Sequence, residues 1–349
     1  MIASIKNNPE LTPLWNLYTC REEYHTRWPD KHGRFSSAFS KNTDCLVPHV
    51  SKHLFEQGFR PKYPENKPFA VCLTHDIDNL FVPQKESLRE SVRSALLLKG
   101  SSFRKSTRTL LNRKKNDYYN LEKIIDLEKK AEATSSFYFL SLQPQDPDFN
   151  YSLESVTDRF ELVKQNGCEI GLHAGHTANA NFDKFISEKK YLEKVSGYEI
   201  IGNRNHYLKF DIPHSWEILS KAGIRYDTTY GYHNQVGFRN GMCYPYYPYN
   251  LESGQFSNVL EIPLVIMEDT LYKYLLLNPE KSLALCKHLV DITKSYNGVL
   301  TFLWHNNHPL GLEFYELFLK YCKENNAWMT SCEELYTWWT TERYDKQLL

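Results

Sequence analysis

The chain has 349 residues, and its 42 lysines and arginines balance 42 acidic residues to a formal net charge of zero. This balance excludes a strongly basic protein, so we expect no nucleic acid partner. We find no secretion signal and no apolar run of about eighteen residues. The eight cysteines include no Cys-x-x-Cys pair, which predicts reduced thiols in a cytoplasmic protein.

Residues 1–66 show few periodic segments and end near Pro61 and Pro64. We interpret them as an N-terminal cap that packs on a catalytic domain spanning residues 67–349. One large α/β domain with an appendage fits this length.

The first strong pattern is the stretch 69–78, in which mostly apolar residues run into Asp76 and Asp78. It predicts a buried parallel strand with both carboxylates on one face and His75 on the other. Two carboxylates so close together favour a cation or an arginine nearby. The alternative is a turn in which Asp78 caps a helix.

A basic segment follows at about 84–116, with ten lysines and arginines against two glutamates. Leu88, Val92 and Leu96 have helical spacing. Two interpretations remain open for this helical insertion: contact with an anionic membrane surface or a polyanionic substrate, or a solvated helix over the rim of the domain.

From residue 121 onward, predicted helices alternate with short apolar strands. The strands are predicted at 136–140, 168–173, 199–204, 224–227, 259–264, 298–304 and 327–330. Strand and helix in repeated alternation imply parallel strands with crossover helices. We therefore predict an α/β fold of the distorted (β/α)7 barrel type, in preference to an open sheet.

Most of these strands end in aspartate, histidine or arginine residues. The carboxyl ends of parallel strands meet on one face, so we expect these side chains to lie close together. Asp78 and His173 are candidate metal ligands, and the third ligand is either His176 or His206. One aspartate and two histidines leave an open coordination position, which is typical of catalytic zinc; cobalt, nickel or iron are the other candidates.

Residues 69–339 resemble the polysaccharide deacetylase family, the NodB-like carbohydrate esterases, and in particular a branch found among bacterial surface-polysaccharide genes. Thr74-His75-Asp76-Ile77-Asp78 is similar to the family's first motif, in which the first aspartate is the general base and the second binds metal. His173 begins a segment similar to the His-Ser/Thr-x-x-His metal motif. That segment departs from the family, because Thr177 occupies the position of the second histidine and His176 precedes it.

Arg204-Asn205-His206-Tyr207 is similar to the family's Arg-x-Pro-Tyr motif, with His206 in place of proline. One hypothesis explains both departures: His206 replaces the missing histidine ligand. The resemblance also implies that Arg204 keeps the base ionised and that a backbone N–H near Tyr207 stabilises the oxyanion.

The resemblance extends to Tyr226-Asp227 and Leu303-Trp304-His305. It implies that His305 is the general acid and that Asp227 fixes its tautomer. We expect Trp304 to contact substrate.

The tyrosine-rich stretch 242–249 predicts either a loop that stacks on sugar faces, through Tyr246, or a plug at the barrel mouth. Phe238 and Arg239 precede it and are candidates to contact an acidic group on a glycan.

Together these features predict a metal-dependent enzyme that removes an N-acetyl group from an N-acetylated carbohydrate in surface-glycan biosynthesis. The alternatives are a hydrolase of another small amide, such as a formyl amide, and a barrel that binds glycan without turnover.

Overall fold

The computed structural model describes residues 1–24, 29–82, 88–89, 92–93, 97, 102, 106–109, 112–307 and 310–349. The predicted basic insertion therefore falls largely outside the described residues.

A curled parallel sheet forms the centre of the fold, in the order β8-β5-β4-β3-β2-β1-β10-β9, and β11 also pairs with β1. A separate antiparallel hairpin is formed by β6 and β7. The strands are β1 (Ala70–Ile77), β2 (Ser136–Leu140), β3 (Glu169–Ala174), β4 (Gly202–Asn205), β5 (Tyr226–Asp227), β6 (Tyr249–Asn250), β7 (Gln255–Phe256), β8 (Leu260–Glu261), β9 (Leu264–Met267), β10 (Val299–Leu303) and β11 (Trp328–Thr330).

β1 lies at the middle of the sheet and is buried along its whole length. Its first half pairs with β11 and its second half with β2, while β10 runs along its other edge. Burial on both faces explains why this strand is apolar up to Leu73, where a half-exposed strand would alternate.

The sheet curls into a barrel-like shape, as predicted, and it opens between β8 and β9. Among the described residues, the loop that follows β5 fills this opening: the backbone N–H of Leu264 donates to Tyr230 and that of Gly237 donates to Val265. The predicted strand 259–264 is in fact two strands, β8 and β9. This division shifts the end of the second strand to Met267.

Helices cover the outside of the sheet. Within the described residues they are α1 (Ile2–Asn7), α2 (Thr12–Tyr18), α3 (His49–Glu56), α4 (Leu121–Lys130), α5 (Thr157–Gln165), α6 (Phe182–Ser196), α7 (His214–Lys221), α8 (Pro279–Ser295), α9 (Gly311–Glu324), α10 (Cys332–Thr341) and α11 (Tyr344–Leu348).

Several helices begin where the sequence supplies a capping side chain. Asn278 accepts a hydrogen bond from the N–H of Lys281 and is followed by proline, which suits the first helical position. Ser331 accepts from the N–H of Glu334, the spacing of a capping box. These local signals explain why the sequence predicts the starts of α8 and α10.

Two tyrosines fill the interior of the barrel beside glycines on neighbouring strands. A Cβ at Gly171 would collide with the ring of Tyr138, and one at Gly202 would collide with Tyr226. The tyrosine hydroxyls lie 3.1 Å apart. Glycine on β3 and β4 therefore makes room for rings under the site end of the barrel.

Residues 1–66, the N-terminal cap, pack directly on the barrel. Buried residues of the cap, including Ile5, Tyr18 and Leu54, belong to the same hydrophobic cluster as β1. The hydroxyl of Tyr18 donates to the carbonyl oxygen of Tyr247. The cap and the barrel thus share one core.

Candidate active site

Three side chains that can bind a metal ion converge at the carboxyl ends of β1, β3 and β4. His173 Nε2 lies 3.1 Å from His206 Nδ1 and 3.1 Å from Asp78 Oδ1. His206 Nδ1 lies 3.4 Å from the same oxygen. In the described part of the chain, these three form the group of metal-ligating side chains compact enough to hold an ion.

The donor set fits a divalent ion. Ligands of a tetrahedral zinc ion at about 2.1 Å lie roughly 3.4 Å apart, close to the separations seen here. Asp78 Oδ1 is buried and makes no hydrogen bond of good geometry within the described residues. This is expected of an oxygen that would bind a cation. His173 Nδ1 donates to the carbonyl oxygen of Arg204 at 2.8 Å, so its Nε2 lone pair faces the other two ligands.

The pKa values of Asp78 and His206 are shifted by their neighbours in the site. Burial raises the pKa of Asp78, but His206 and His173 outweigh burial and hold that pKa well below its usual range. Burial lowers the pKa of His206, but Asp78 and Asp148 outweigh it and raise that pKa to about 9. Asp148 Oδ2 lies 3.6 Å from His206 Nε2 and is placed to orient this ring from its outer side.

His176, the other candidate for the third ligand, does not join the group. It lies in the turn after β3, and its ring meets the edge of Tyr207 at 5.7 Å and of His32 at 6.0 Å. His176 comes three residues after His173, beyond the end of β3, and is not a member of the compact group. The structure therefore favours His206 as the third ligand.

Asp76, the candidate base, lies beside the metal-ligand group. Its Oδ2 is 3.7 Å from His173 Nε2, and its Oδ1 is 3.6 Å from Arg204 Nη1. Arg204 is fully buried, and its Nη2 donates to the hydroxyls of Thr74 and Thr228. The structure thus places Arg204 next to Asp76, as the motif implies.

His305, the candidate acid, follows β10 on the other side of the group. Its Nε2 lies 3.8 Å from Asp78 Oδ2, and its Nδ1 lies 2.6 Å from Glu268 Oε1. Burial lowers the pKa of His305, but Glu268 and the site aspartates outweigh it and raise that pKa to about 10. A protonated ring with Nε2 facing the site is what a general acid needs.

Asp227 does not orient His305, so the residue predicted to pair with this histidine is wrong. Asp227 accepts hydrogen bonds from Asn203 Nδ2 at 2.7 Å and from the N–H and hydroxyl of Thr229. It is fully buried, and burial raises its pKa. Glu268 takes the predicted role because it directly follows β9, which pairs with β10.

Tyr207 lies at the mouth of the site in a left-handed backbone conformation, with φ 60°. Its ring centroid is 3.9 Å from that of His206. The residue is half-buried and directly follows His206.

Arg239 does not contact the site. Its side chain forms a buried ion pair with Glu23 of the N-terminal cap, and its Nη1 donates to the carbonyl oxygen of Gly231. The prediction that Arg239 contacts an acidic glycan is therefore wrong in this structure, since its charge is already matched inside the protein.

Phe238, Tyr246 and Trp304 are also buried, at 0%, 1% and 1% exposure. The N–H of Phe238 donates to the carbonyl oxygen of Cys45. Tyr246 packs against Tyr18 of the N-terminal cap. The ring of Trp304 stacks on residues of α9. All three side chains are enclosed in the protein, and the tyrosine-rich stretch is part of the core.

The exposed apolar positions of the basic insertion are only partly described. Leu88 and Val92 are 57% and 53% exposed, whereas Leu96 lies outside the described residues. No helix in the described parts of the chain is long and apolar enough to cross a bilayer.

Solved structures of other proteins match most of this chain, and two examples illustrate this. A candidate polysaccharide deacetylase from Mycobacterium smegmatis matches with a TM-score of 0.57 at 16% sequence identity, covering 81% of this chain and 94% of that one. The PuuE allantoinase matches with a TM-score of 0.57 at 13% identity, covering 85% and 96%. No family model matches the sequence, and no curated protein matches it significantly. The chain therefore shares the fold of these two proteins.

Proposed function

We propose that this chain, which shares its fold with a candidate polysaccharide deacetylase, is a metal-dependent hydrolase. Its reaction would remove an N-acetyl group from an N-acetylated sugar during surface-glycan biosynthesis. The observation that carries the proposal is the group of Asp78, His173 and His206, with Asp76 on one side and His305 on the other.

The metal would be held by Asp78, His173 and His206, and zinc is the first candidate, before cobalt, nickel and iron. When bound, it would supply Lewis acidity that polarises an amide carbonyl and makes water acidic. All other functions in the reaction fall to the chain's own residues.

Asp76 is placed to accept the proton that water loses as its oxygen forms a bond to the carbonyl carbon. The buried guanidinium of Arg204 lies 3.6 Å from that carboxylate and is placed to orient it. His305 Nε2 then donates a proton to the departing nitrogen as the C–N bond breaks, so the products are acetate and a free amine. The backbone N–H of Tyr207 is the proposed donor to the oxyanion.

A second candidate function is hydrolysis of another small amide, and the match to the PuuE allantoinase favours it. The same base, acid and metal ligands suit any amide whose carbonyl reaches the group. The difference lies in the substrate contacts, and the residues predicted for sugar contact at 238–246 are buried.

We also propose a cytoplasmic location, because all eight cysteines are unpaired and buried. Contact of the basic insertion with an anionic membrane surface remains a proposal, and flotation with anionic vesicles tests it. Absence of binding to such vesicles would rule it out.

The decisive experiment incubates zinc- or cobalt-loaded protein with free, nucleotide-linked and oligomeric N-acetylated sugars, an N-formylated sugar and allantoin. Release of acetate by the wild type, lowered about 10²- to 10⁴-fold in Asp76→Asn, supports the proposal. Asp183→Asn, an exposed change on α6, is the matched control.

The remaining outcomes of this screen indicate other functions. Turnover of only the formyl sugar or allantoin indicates the second candidate. Sugar affinity without turnover, in protein that holds metal, indicates a binding protein and contradicts the hydrolase proposal.

A further inference from the structure

We infer that residues 30–34 of the N-terminal cap are part of the active site, where Asp30 and Arg34 clamp the turn that carries His206 and thereby set metal affinity. The metal-affinity part of this inference rests on the proposed function. The inference that Asp30 and Arg34 hold the turn is independent of the proposed function.

The turn after β4 needs an external support. Tyr207 and Leu208 both have left-handed backbone conformations, with φ of 60° and 53°. Residues other than glycine disfavour this region, so such a turn persists only when its surroundings hold it. A ligand histidine on a strained turn therefore depends on the groups that fix the turn.

Arg34 supplies one such support from the N-terminal cap. Its Nη1 donates to the carbonyl oxygen of Tyr207 at 2.8 Å. The side chain is 7% exposed, so this charged hydrogen bond is shielded from water. It fixes the peptide that follows Tyr207, one residue after the ligand.

Asp30 fixes Arg34 in turn. Asp30 Oδ2 accepts from Nε and Nη2 of Arg34 at 2.9 and 2.7 Å, and its Oδ1 accepts from the backbone N–H groups of His32 and Arg34. With Nε and Nη2 bonded to Asp30, Nη1 of Arg34 is directed at the carbonyl oxygen of Tyr207. Lysine cannot reproduce the arrangement, because it has no planar fork of donors.

A stack of rings adds a second connection from the cap to the metal-ligand group. The ring of His32 stacks on that of Tyr207, with centroids 4.5 Å apart and planes 16° apart. The ring of Tyr207 lies in turn against that of His206. The cap thus contacts both the backbone and the side chain next to the ligand.

The same clamp reaches the other side of the site. Arg34 Nη2 lies 3.3 Å from the hydroxyl of Tyr274, and His233 Nε2 lies 3.6 Å from Asp30 Oδ2. Tyr274 belongs to the helical turn Thr270–Tyr274, which begins two residues after Glu268, the partner of His305. Loss of Arg34 should therefore loosen both sides of the site together.

The test compares Arg34→Ala, Arg34→Lys and Asp30→Asn with Arg60→Ala, all in the full chain. Arg60 is an exposed arginine of the same cap that donates to carbonyl oxygens at Phe55 and Phe59, away from the site. Two quantities are measured: amide hydrogen exchange in metal-free protein, and zinc affinity by competition with a chelator.

We expect Arg34→Ala to exchange faster in peptides covering 203–210 and 268–277, and to bind zinc roughly 10- to 100-fold more weakly. Arg34→Lys and the milder Asp30→Asn should change both quantities in the same direction by less, and Arg60→Ala should change neither. A merely structural role would lower thermal stability without changing zinc affinity.

The inference is overturned if Arg34→Ala and Asp30→Asn show the same amide hydrogen exchange at 203–210 as Arg60→Ala. It is also overturned if they bind zinc as the wild type does. If the wild type binds neither zinc nor cobalt, the proposed function fails, and hydrogen exchange still decides whether the clamp holds the turn.

Discussion

Glu268 Oε1 accepts two hydrogen bonds from His305, one from the ring Nδ1 at 2.6 Å and one from the backbone N–H at 2.7 Å. The carboxylate is fully buried, so it fixes both the tautomer of the ring and the chain that carries it. Nε2 is left to face Asp78 and the open side of the site.

Glu268→Gln should therefore lower kcat for amide hydrolysis about 10²- to 10⁴-fold, with little change in KM. The amide keeps the size of the side chain but removes the charge that favours a protonated ring. Steady-state kinetics on the best substrate of the acetate-release screen measure this.

Asp227→Asn is the matched control, because it makes the same chemical change at the residue that the sequence suggested instead. Asp227 hydrogen-bonds to Asn203 and Thr229, and within the described residues it forms no hydrogen bond or ion pair with His305. We expect its kcat to stay close to that of the wild type. If Asp227→Asn lost activity and Glu268→Gln kept it, the assignment of the partner would be reversed.

His206→Ala should reduce zinc affinity more than roughly 100-fold, since loss of a ligand exceeds the usual effect of outer partners. His176→Ala should leave zinc affinity unchanged, because its ring lies against Tyr207 and His32. Metal content by mass spectrometry and chelator competition measure both variants. Equal affinity in His206→Ala and the wild type would rule out His206 as the third ligand.

The sequence allowed prediction of the parallel fold and of the residues that converge at Asp78, because both depend on local patterns. Apolar runs mark buried parallel strands, and polar residues at their carboxyl ends must meet on one face. His206 is a candidate ligand because it follows a predicted strand, and its replacement of the proline of a known motif favours it over His176.

The rest depended on long-range contacts that no local pattern contains. The sequence pattern does not identify Glu268, because it predicts one strand at 259–264 and so hides the strand end that Glu268 follows. Tyr246 and Arg239 looked like surface residues, but the N-terminal cap supplies Tyr18 and Glu23 to bury them. Asp30 and Arg34 are close in sequence and pair with each other, but the residues that Arg34 contacts in the site, Tyr207 and Tyr274, are distant in sequence.

Arg239→Ala should destabilise the fold by about 3–5 kcal/mol, because it leaves the buried carboxylate of Glu23 without its partner. Substrate affinity of the folded fraction should stay the same. Urea unfolding measures the first quantity and KM well below the melting temperature measures the second. A stable Arg239→Ala protein with weakened substrate binding would restore the predicted role in glycan contact.

The free energy of unfolding should fall as the pH rises, because of the buried carboxyl group of Glu169. It lies at the start of β3, at the end of the barrel away from the site, and it accepts a hydrogen bond from Ser136. Burial, with a contribution from Glu333, raises the pKa of Glu169 to about 7. The folded state therefore prefers the protonated acid. The stability from this preference is complete below the unfolded pKa of about 4.3 and is lost as the pH rises to about 7.

Glu169→Gln mimics the protonated acid, so it should match the wild type near pH 4 and exceed its stability near pH 8 by roughly 3–4 kcal/mol. Urea unfolding at several pH values measures this difference, and Glu161→Gln, an exposed change on α5, is the control. Other carboxylates titrate equally in all three proteins, so only the difference between curves reports on Glu169. Parallel curves for the wild type and Glu169→Gln would show that burial of this carboxyl does not change its protonation on folding.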